Sequence, residues 1–243
     1  MSTIKDVARL AGVGVGTASR ALSGKGAVSA DALARVKAAI EQLDFRPSNV
    51  ARALSSKTLG MIGVYLPDFA GSFYGPILQV LDRELREAEH HMVATNGCGA
   101  GDARQLALEG IHFLMQRECD GILALSNDLL ESDLRHLHER YPRLVAINRV
   151  VPGLEADCFS PDHDFGGRLA AQCLLSRGHR EIAVISGPHR AADNEARLAG
   201  FHAELASHGV TVAPGLQADG DFSHESGDRA MRELMAHGQR FTA

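Results

Sequence analysis

The sequence predicts an N-terminal three-helix helix-turn-helix domain plus hinge, followed by an α/β body with parallel sheets in two lobes. Three observations predict it. Residues 1–46 hold three short helical patterns broken by glycines, too few large apolar residues for more than a small core. Beyond residue 60, short apolar runs alternate with amphipathic stretches, the pattern of parallel strands covered by helices. The charge divides at the same place: residues 1–57 hold 9 Lys/Arg and 4 Asp/Glu, a net of +5, and residues 58–243 hold 16 and 26, a net of −10. All four lysines, Lys5, Lys25, Lys37 and Lys57, lie in the head, which suggests a polyanionic partner for that part alone.

In the head, Thr3 followed by Asp6 is a capping-box-like start with Asp in place of Glu. Ile4, Val7, Ala8 and Ala11 recur at helical spacing, and Gly12 stands where the helix ends in the left-handed conformation. A second helix is expected from about Val15 to Leu22, facing the first through Ala18, Ala21 and Leu22. Residues 23–26 read as a loop. Ser29 caps a third helix with Leu33, Val36, Ile40 and Leu43 on one face, and Pro47 breaks that pattern.

In the body, strands are expected at Met61–Leu66, Met92–Thr95, Gly121–Leu125, Leu144–Ile147 and Ile182–Ser186. Helices are expected at 75–90, 102–118, 130–140, 164–177, 193–208 and 224–237. The domains read as 1–46 for the head, 47–58 for the hinge, 59–160 for the first lobe and 161–243 for the second, partial lobe.

Several function classes fall away. Gly12-Val-Gly14-Val-Gly16 is not a dinucleotide loop, because the sixth position is Thr17 and a helix precedes it where a strand is required. His90-His91 and His136-x-His138 lack the i,i+4 spacing of a helical metal site, so no metal and no cofactor are expected. Ser186-Gly187 lacks a nucleophile elbow, and no catalytic residue is nominated. Cys98, Cys119, Cys158 and Cys173 have no CxxC spacing and read as reduced thiols of a cytoplasmic protein. Asp6 and Arg9 interrupt any signal peptide, and no apolar run approaches a membrane span.

As a helix-turn-helix, the glycine-rich stretch makes physical sense. The second helix enters the major groove with its first residues near base edges, here Val15 and Gly16. Arg20, one turn further, suits a guanine through its two-pronged guanidinium, although alone it would read as a surface ion-pair residue. Thr17 and Ser19 are short polar residues suited to phosphate or base contacts. Pro47 to Leu54 is too short for a stable isolated helix. It suits a segment that folds on DNA and wedges Leu54 between minor-groove base steps, and equally a linker whose leucine packs on a neighbour.

Thr3-Ile-Lys-Asp-Val-Ala, Thr17-Ala-Ser-Arg-Ala-Leu and Arg46-Pro-Ser-Asn-Val-Ala-Arg-Ala-Leu54 resemble the head and hinge of the LacI/GalR family of transcriptional regulators. The likeness continues through Gly63-Val-Tyr-Leu-Pro-Asp68, Ser72-Phe-Tyr74, Asp120-Gly-Ile-Leu, Ile147-Asn-Arg149, Arg177-Gly-His-Arg-Glu-Ile-Ala183, Arg197-Leu-Ala-Gly-Phe201 and Gly220-Asp-Phe-Ser-His-Glu-Ser-Gly227. Residues 147–153 lean toward the galactose-repressor branch. The resemblance implies a periplasmic-binding-protein-like body and a homodimer on a pseudo-palindromic operator in double-stranded DNA. It implies control by a small-molecule effector, a sugar or sugar derivative, held between the lobes. The residues implied for DNA are Thr3, Val15, Gly16, Thr17, Ser19, Arg20, Asn49, Arg52, Leu54 and Ser55. Those implied for the effector are Asp68, Phe73, Tyr74, Asn148, Arg149, Arg197 and Phe222. The aromatic ones would stack on a ring and the others hydrogen-bond its polar edge.

There are departures. Gly14 stands where the family has a capping Ser, and Gly16 offers no side chain at a base-reading position. Phe241-Thr-Ala243 resembles the start of the next strand of the second lobe, so that lobe is expected to be incomplete, its C-terminal part truncated. A fragment, a natural truncation and completion by oligomerisation are all compatible with that expectation. A sugar-binding protein without DNA function is the other reading the body allows; the basic head argues against it.

Overall fold

The computed structural model describes residues 2–24, 26–45, 58–69 and 71–243. Contacts divide the molecule into two compact units, Met1–Leu59 and Gly60–Ala243.

The first unit has helices α1 (Ile4–Ala11), α2 (Val15–Ser23) and α3 (Ala30–Gln42). Thr3 and Asp6 form a reciprocal capping box, so two otherwise orphan donors at the start of α1 are satisfied. Gly12 ends α1 at φ 64°, and its N–H returns to the carbonyls of Ala8 and Arg9. Ser29 caps α3 by accepting the Ala32 N–H. The core is small-residue packing: Val7, Ala8, Ala11, Ala18, Val36 and Ala39, bordered by Ile4, Ile40 and Leu43. Ala18 is the buried residue of α2, so most of that helix faces outward.

The second unit begins with a five-stranded parallel sheet in the order β2-β1-β3-β4-β5. Its strands are β1 (Met61–Leu66), β2 (His91–Asn96), β3 (Gly121–Leu125), β4 (Leu144–Ile147) and β5 (Cys158–Phe159). Helices α4 (Gly71–Glu87), α5 (Ala103–Gln116) and α6 (Glu131–Arg140) connect them. Side chains alternate across β1: Tyr65 joins Ile111, Leu114, Ile122, Leu134 and Leu144 on one face. Val64 and Leu66 join Tyr74, Ile77, Leu78 and Leu81 of α4 on the other. A sheet buried on both faces accounts for the continuous apolar strands.

A second sheet follows, β6 (Val184–Ser186) paired in parallel with β7 (Gln217–Asp219), with α7 (His163–Ser176), α8 (Ala192–Ser207) and α9 (His224–Ala236). Ala171, Leu175, Ile182, Leu205, Val210, Val212 and Leu216 form its core. Helices α7 and α8 touch backbone to backbone: a Cβ at Gly167 would overlap the Arg197 carbonyl, and one at Gly200 would overlap the Asp164 carbonyl. Near the last residue, the Ala183 N–H donates to Ala243 O at 2.8 Å and the Thr242 N–H to Glu181 O at 2.8 Å, so 242–243 lie alongside 181–183.

Three expectations need correction. The strand expected at Ile182–Ser186 is only Val184–Ser186, because Glu181 and Ala183 bond to Thr242 and Ala243 outside the ladder. The helix expected at 75–90 begins at Gly71 and runs through Pro76, which lacks the N–H for the carbonyl four residues back. Strands β5 and β7 have no counterpart among the expected strands; at two and three residues they are too short to show a period. The hinge expectations for Asn49, Arg52, Leu54 and Ser55 lie outside the described residues.

Candidate functional site

The head presents α2 as an open reading surface. Gly14 begins the helix in an extended conformation with no side-chain cap, so no side chain at that position covers the first N–H groups of α2. Val15 is 45% exposed, Gly16, Ser19 and Arg20 are exposed, and Thr17 is half-buried. A Cβ at Gly14 or Gly16 would have no atom within 4 Å. The Arg20 Nε donates to the Gly16 carbonyl at 3.2 Å, which lays the side chain along the helix and leaves both Nη groups for an outside acceptor. Thr3 is engaged otherwise: its hydroxyl donates to Asp6 Oδ2 at 2.7 Å. Those bonds hold the half-buried Asp6 carboxyl below the usual carboxylate range.

In the second unit, the effector-type residues gather where parallel strands end. Asp68 follows β1, Asn127 and Asp128 follow β3, Asn148 follows β4, Gly187 follows β6 and Phe222 follows β7. Carboxyl ends beside a reversal of strand order, here between β1 and β3, form the natural crevice of an open parallel sheet. Phe73 is 55% exposed and meets Tyr74 edge-to-face at 5.1 Å. The Tyr74 phenol is pushed up by burial first, then by the carboxylates of Asp193, Asp128 and Asp68, which places all three near one ring.

Among the described residues, five non-glycine residues have positive φ. Asp44, Glu89 and Glu118 follow helix ends; the other two are Asn148 at 66° and Phe222 at 70°, both among the effector residues expected from sequence. Such strain concentrates at ligand sites. Phe222 lies against the buried Gly187, where a Cβ would overlap its ring. It borders an apolar cavity of about 510 Å³ with Ile185, Leu198 and Phe201, and Asn194 and Arg197 supply polar groups to its lining.

Polar side chains bridge the two lobes. Asp193, only 7% exposed, accepts from Asn127 Nδ2 at 3.1 Å and from Asn148 Nδ2 at 3.1 Å, with Arg197 Nη2 at 3.5 Å. Arg190 Nη2 meets Asp128 Oδ1 at 2.8 Å. Sequence reasoning does not find Asp193, Asn127, Asp128, Arg190 or His163. For Asp193 a signal exists, since it lies one helical turn before Arg197 and shares its face. Arg149 is brought to the same region but engaged elsewhere: its Nη1 donates to the carbonyls of Ser126 at 3.3 Å and Leu129 at 2.7 Å. It ties down the β3 loop. Among the described residues, no cluster of three or more His, Cys, Asp or Glu is placed to hold a metal, and no helix is long and apolar enough to cross a membrane.

Residues 3–48 match the family model described as bacterial regulatory proteins, lacI family. Residues 59–242 match that of periplasmic binding proteins and the sugar binding domain of the LacI family. The chain belongs to the lacI family of bacterial regulatory proteins. With a helix-turn-helix head and a periplasmic-binding-protein-like body, this lacI-family member is a transcriptional regulator. It is 32% identical over 243 residues to the HTH-type transcriptional regulator GalR of Escherichia coli K12, covering 100% of this chain and 70% of that one. A LacI-family transcriptional regulator from Burkhoderia phymatum aligns at 45% identity and TM-score 0.71, over 75% of this chain and 66% of that one. The lac repressor dimer bound to operator and the anti-inducer ONPF aligns at TM-score 0.84 over 98% of this chain and 71% of that one; at 24% identity it speaks for the fold alone.

Proposed function

We propose that this lacI-family protein represses a catabolic operon for a sugar or sugar derivative, acting in the cytoplasm without catalysis. In this reading two heads of a homodimer bind a pseudo-palindromic operator. Val15, Gly16, Thr17, Ser19 and Arg20 face the major groove, and Thr3 orders the start of the head. The hinge 47–58, through Asn49, Arg52, Leu54 and Ser55, takes the minor groove between half-sites. The lobes 59–160 and 161–243 close on an effector that contacts Asp68, Phe73, Tyr74, Asn148, Arg197 and Phe222, with Arg149 framing the pocket floor.

The observation that carries the reading is the uncapped, outward face of α2 in an N-terminal stretch, residues 1–57, with a net charge of +5. An exposed apolar residue, a glycine and an arginine along that face suit base edges better than a protein core. The cleft adds the second half: aromatic faces beside convergent hydrogen-bonding groups suit a polyhydroxylated ring.

Selection of binding sites from a random duplex library with the 243-residue protein tests it. A palindrome is the expected result. Recovery of no specific sequence, together with salt-independent retention, would favour a sugar-binding protein without DNA function.

A further inference from the structure

Two loops, one from each lobe, meet on charge. Asn127 and Asp128 stand between β3 and α6; Arg190 stands between β6 and α8, and Asp193 in the first turn of α8. Arg190 Nη2 lies 2.8 Å from Asp128 Oδ1, with the Asp128 side chain 15% exposed and that of Arg190 70%. Three residues on, Asp193 accepts from Asn127 Nδ2 and from Asn148 Nδ2, each at 3.1 Å. Asn148 is oriented for this by His163, whose Nε2 lies 3.0 Å from its Oδ1. Two consecutive residues of the first lobe therefore hold two points of the second, one by charge and one by a hydrogen bond.

Both ends of the ion pair are held by their own loops. The Asp128 N–H donates to Ser126 Oγ at 3.1 Å, and Arg149 Nη1 binds the carbonyls of Ser126 and Leu129 on either side of Asp128. In the second lobe, the Ala191 N–H donates to Pro188 O at 3.0 Å, which closes a turn containing Arg190. The nearby charges are engaged elsewhere: His189 turns to Asp219 at 3.2 Å, and Arg197 faces Asp193 at 3.5 Å. A short bond between ionised groups is among the stronger polar contacts, and shielding of the carboxylate limits its screening by water and salt.

We propose that Asp128 and Arg190 are positioning residues for the cleft: their ion pair across the lobes keeps Asn127 and Asn148 on Asp193 and holds the lobes closed before an effector arrives. This rests on the reading that an effector binds between the lobes. A protein already closed loses less binding energy in bringing the lobes together, so the pair tunes effector affinity without touching the effector.

The test is a spin-label distance across the cleft of the 243-residue protein, from Ser132→Cys in α6 to Glu225→Cys in α9, with Cys98→Ser and Cys173→Ser removing the exposed thiols. Both helices begin at the cleft ends of their sheets, so the distance reports closure. With the ion pair intact, one short distance should dominate. Arg190→Gln and Asp128→Asn should each lower the closed-to-open ratio about threefold, the size expected of an ion pair with one exposed partner. Arg190→Lys should keep most of the closure, because the charge survives. The double variant Asp128→Asn/Arg190→Gln should be no more open than either single variant, since both remove the same contact. The same set in an Asp193→Ala background, which lacks both asparagine bonds, should start more open and show the same threefold steps. Salt at about 1 M should open the intact protein toward the double variant and leave the double variant unchanged. Unchanged distances in both backgrounds, or additive effects of the two single variants, overturn the proposal. The labels read closure without ligand, so such a failure leaves the effector reading standing. Titration calorimetry with D-galactose, D-ribose and cellobiose tests that reading apart: a clasped protein deaf to all three would exclude these sugars and leave the ion pair its role.

Discussion

Phe222 and Gly187 form a pair in which one residue's presence depends on the other's absence of a side chain. Phe222 is held at a left-handed φ of 70°, and its ring occupies the space that a Cβ on Gly187 would fill. Gly187→Ala should therefore swing the exposed ring out of its place, at a cost below the ~1–3 kcal/mol of overpacking a filled core, because the ring borders open space. Urea unfolding of Gly187→Ala, Phe222→Ala and the double variant checks this. The double variant should recover most of the loss, because the clash needs both groups; simple additivity would show that the contact is unimportant. The same pair shows how far the site is legible in the sequence. Phe222, Asn148 and Arg197 are reached through motif resemblance, and the structure places Asn148 and Phe222 at strand ends, with Arg197 beside them on α8. Asp193, Asn127 and His163 are not, since what brings them together is a meeting of two lobes separated by tens of residues. No local spacing encodes that. Arg149 is suggested by its place beside Asn148, yet its fork is turned to backbone carbonyls, a choice set by the β3 loop and invisible in its own neighbourhood.

At the scale of elements, α2 is the least self-sufficient helix of the head. It has no side-chain cap and carries Gly16 in its first turn. Glycine there costs up to about 1 kcal/mol relative to alanine. Open space surrounds the position, so Gly16→Ala should stabilise α2 without disturbing the core. Amide hydrogen exchange of the 243-residue protein should show slower exchange along Val15–Ser23, and site selection should show a changed preference at one base pair per half-site. Faster exchange would mean that the bare backbone makes a contact the free head does not reveal. Most elements are readable because each has a local cause: the Thr3 and Ser29 caps, the Gly12 stop and the apolar runs of β1, β3 and β4. The close crossing of α7 and α8 is not, although Gly200 stands inside a family-like motif. Its reason, contact with the Asp164 carbonyl, lies on a helix 36 positions earlier.

For the whole molecule, the decisive quantity is the opposition of charge between its parts. Residues 1–57, the head and hinge, carry a net of +5 and the remainder −10, so the molecule is acidic overall and only one part of it is attractive to a polyanion. Attraction to random-sequence DNA then belongs to the head alone, and its salt dependence counts phosphates. If each head neutralises about five phosphates, the logarithm of affinity should fall with the logarithm of salt with a slope of about −4.5 per head. That is a loss of about 500-fold between about 50 and 200 mM salt, measurable by fluorescence anisotropy on a duplex lacking any selected site. A fragment of residues 60–243 should bind no DNA even at the lower salt, because its 26 carboxylates outnumber its 16 arginines. Arg20→Ala should lower affinity for the selected site while leaving the slope on random DNA nearly unchanged, as expected of a base contact; a slope reduced by about one would place Arg20 on a phosphate instead. The two outcomes assign the arginine to recognition or to positioning, and with it the part of α2 that distinguishes one operator from another.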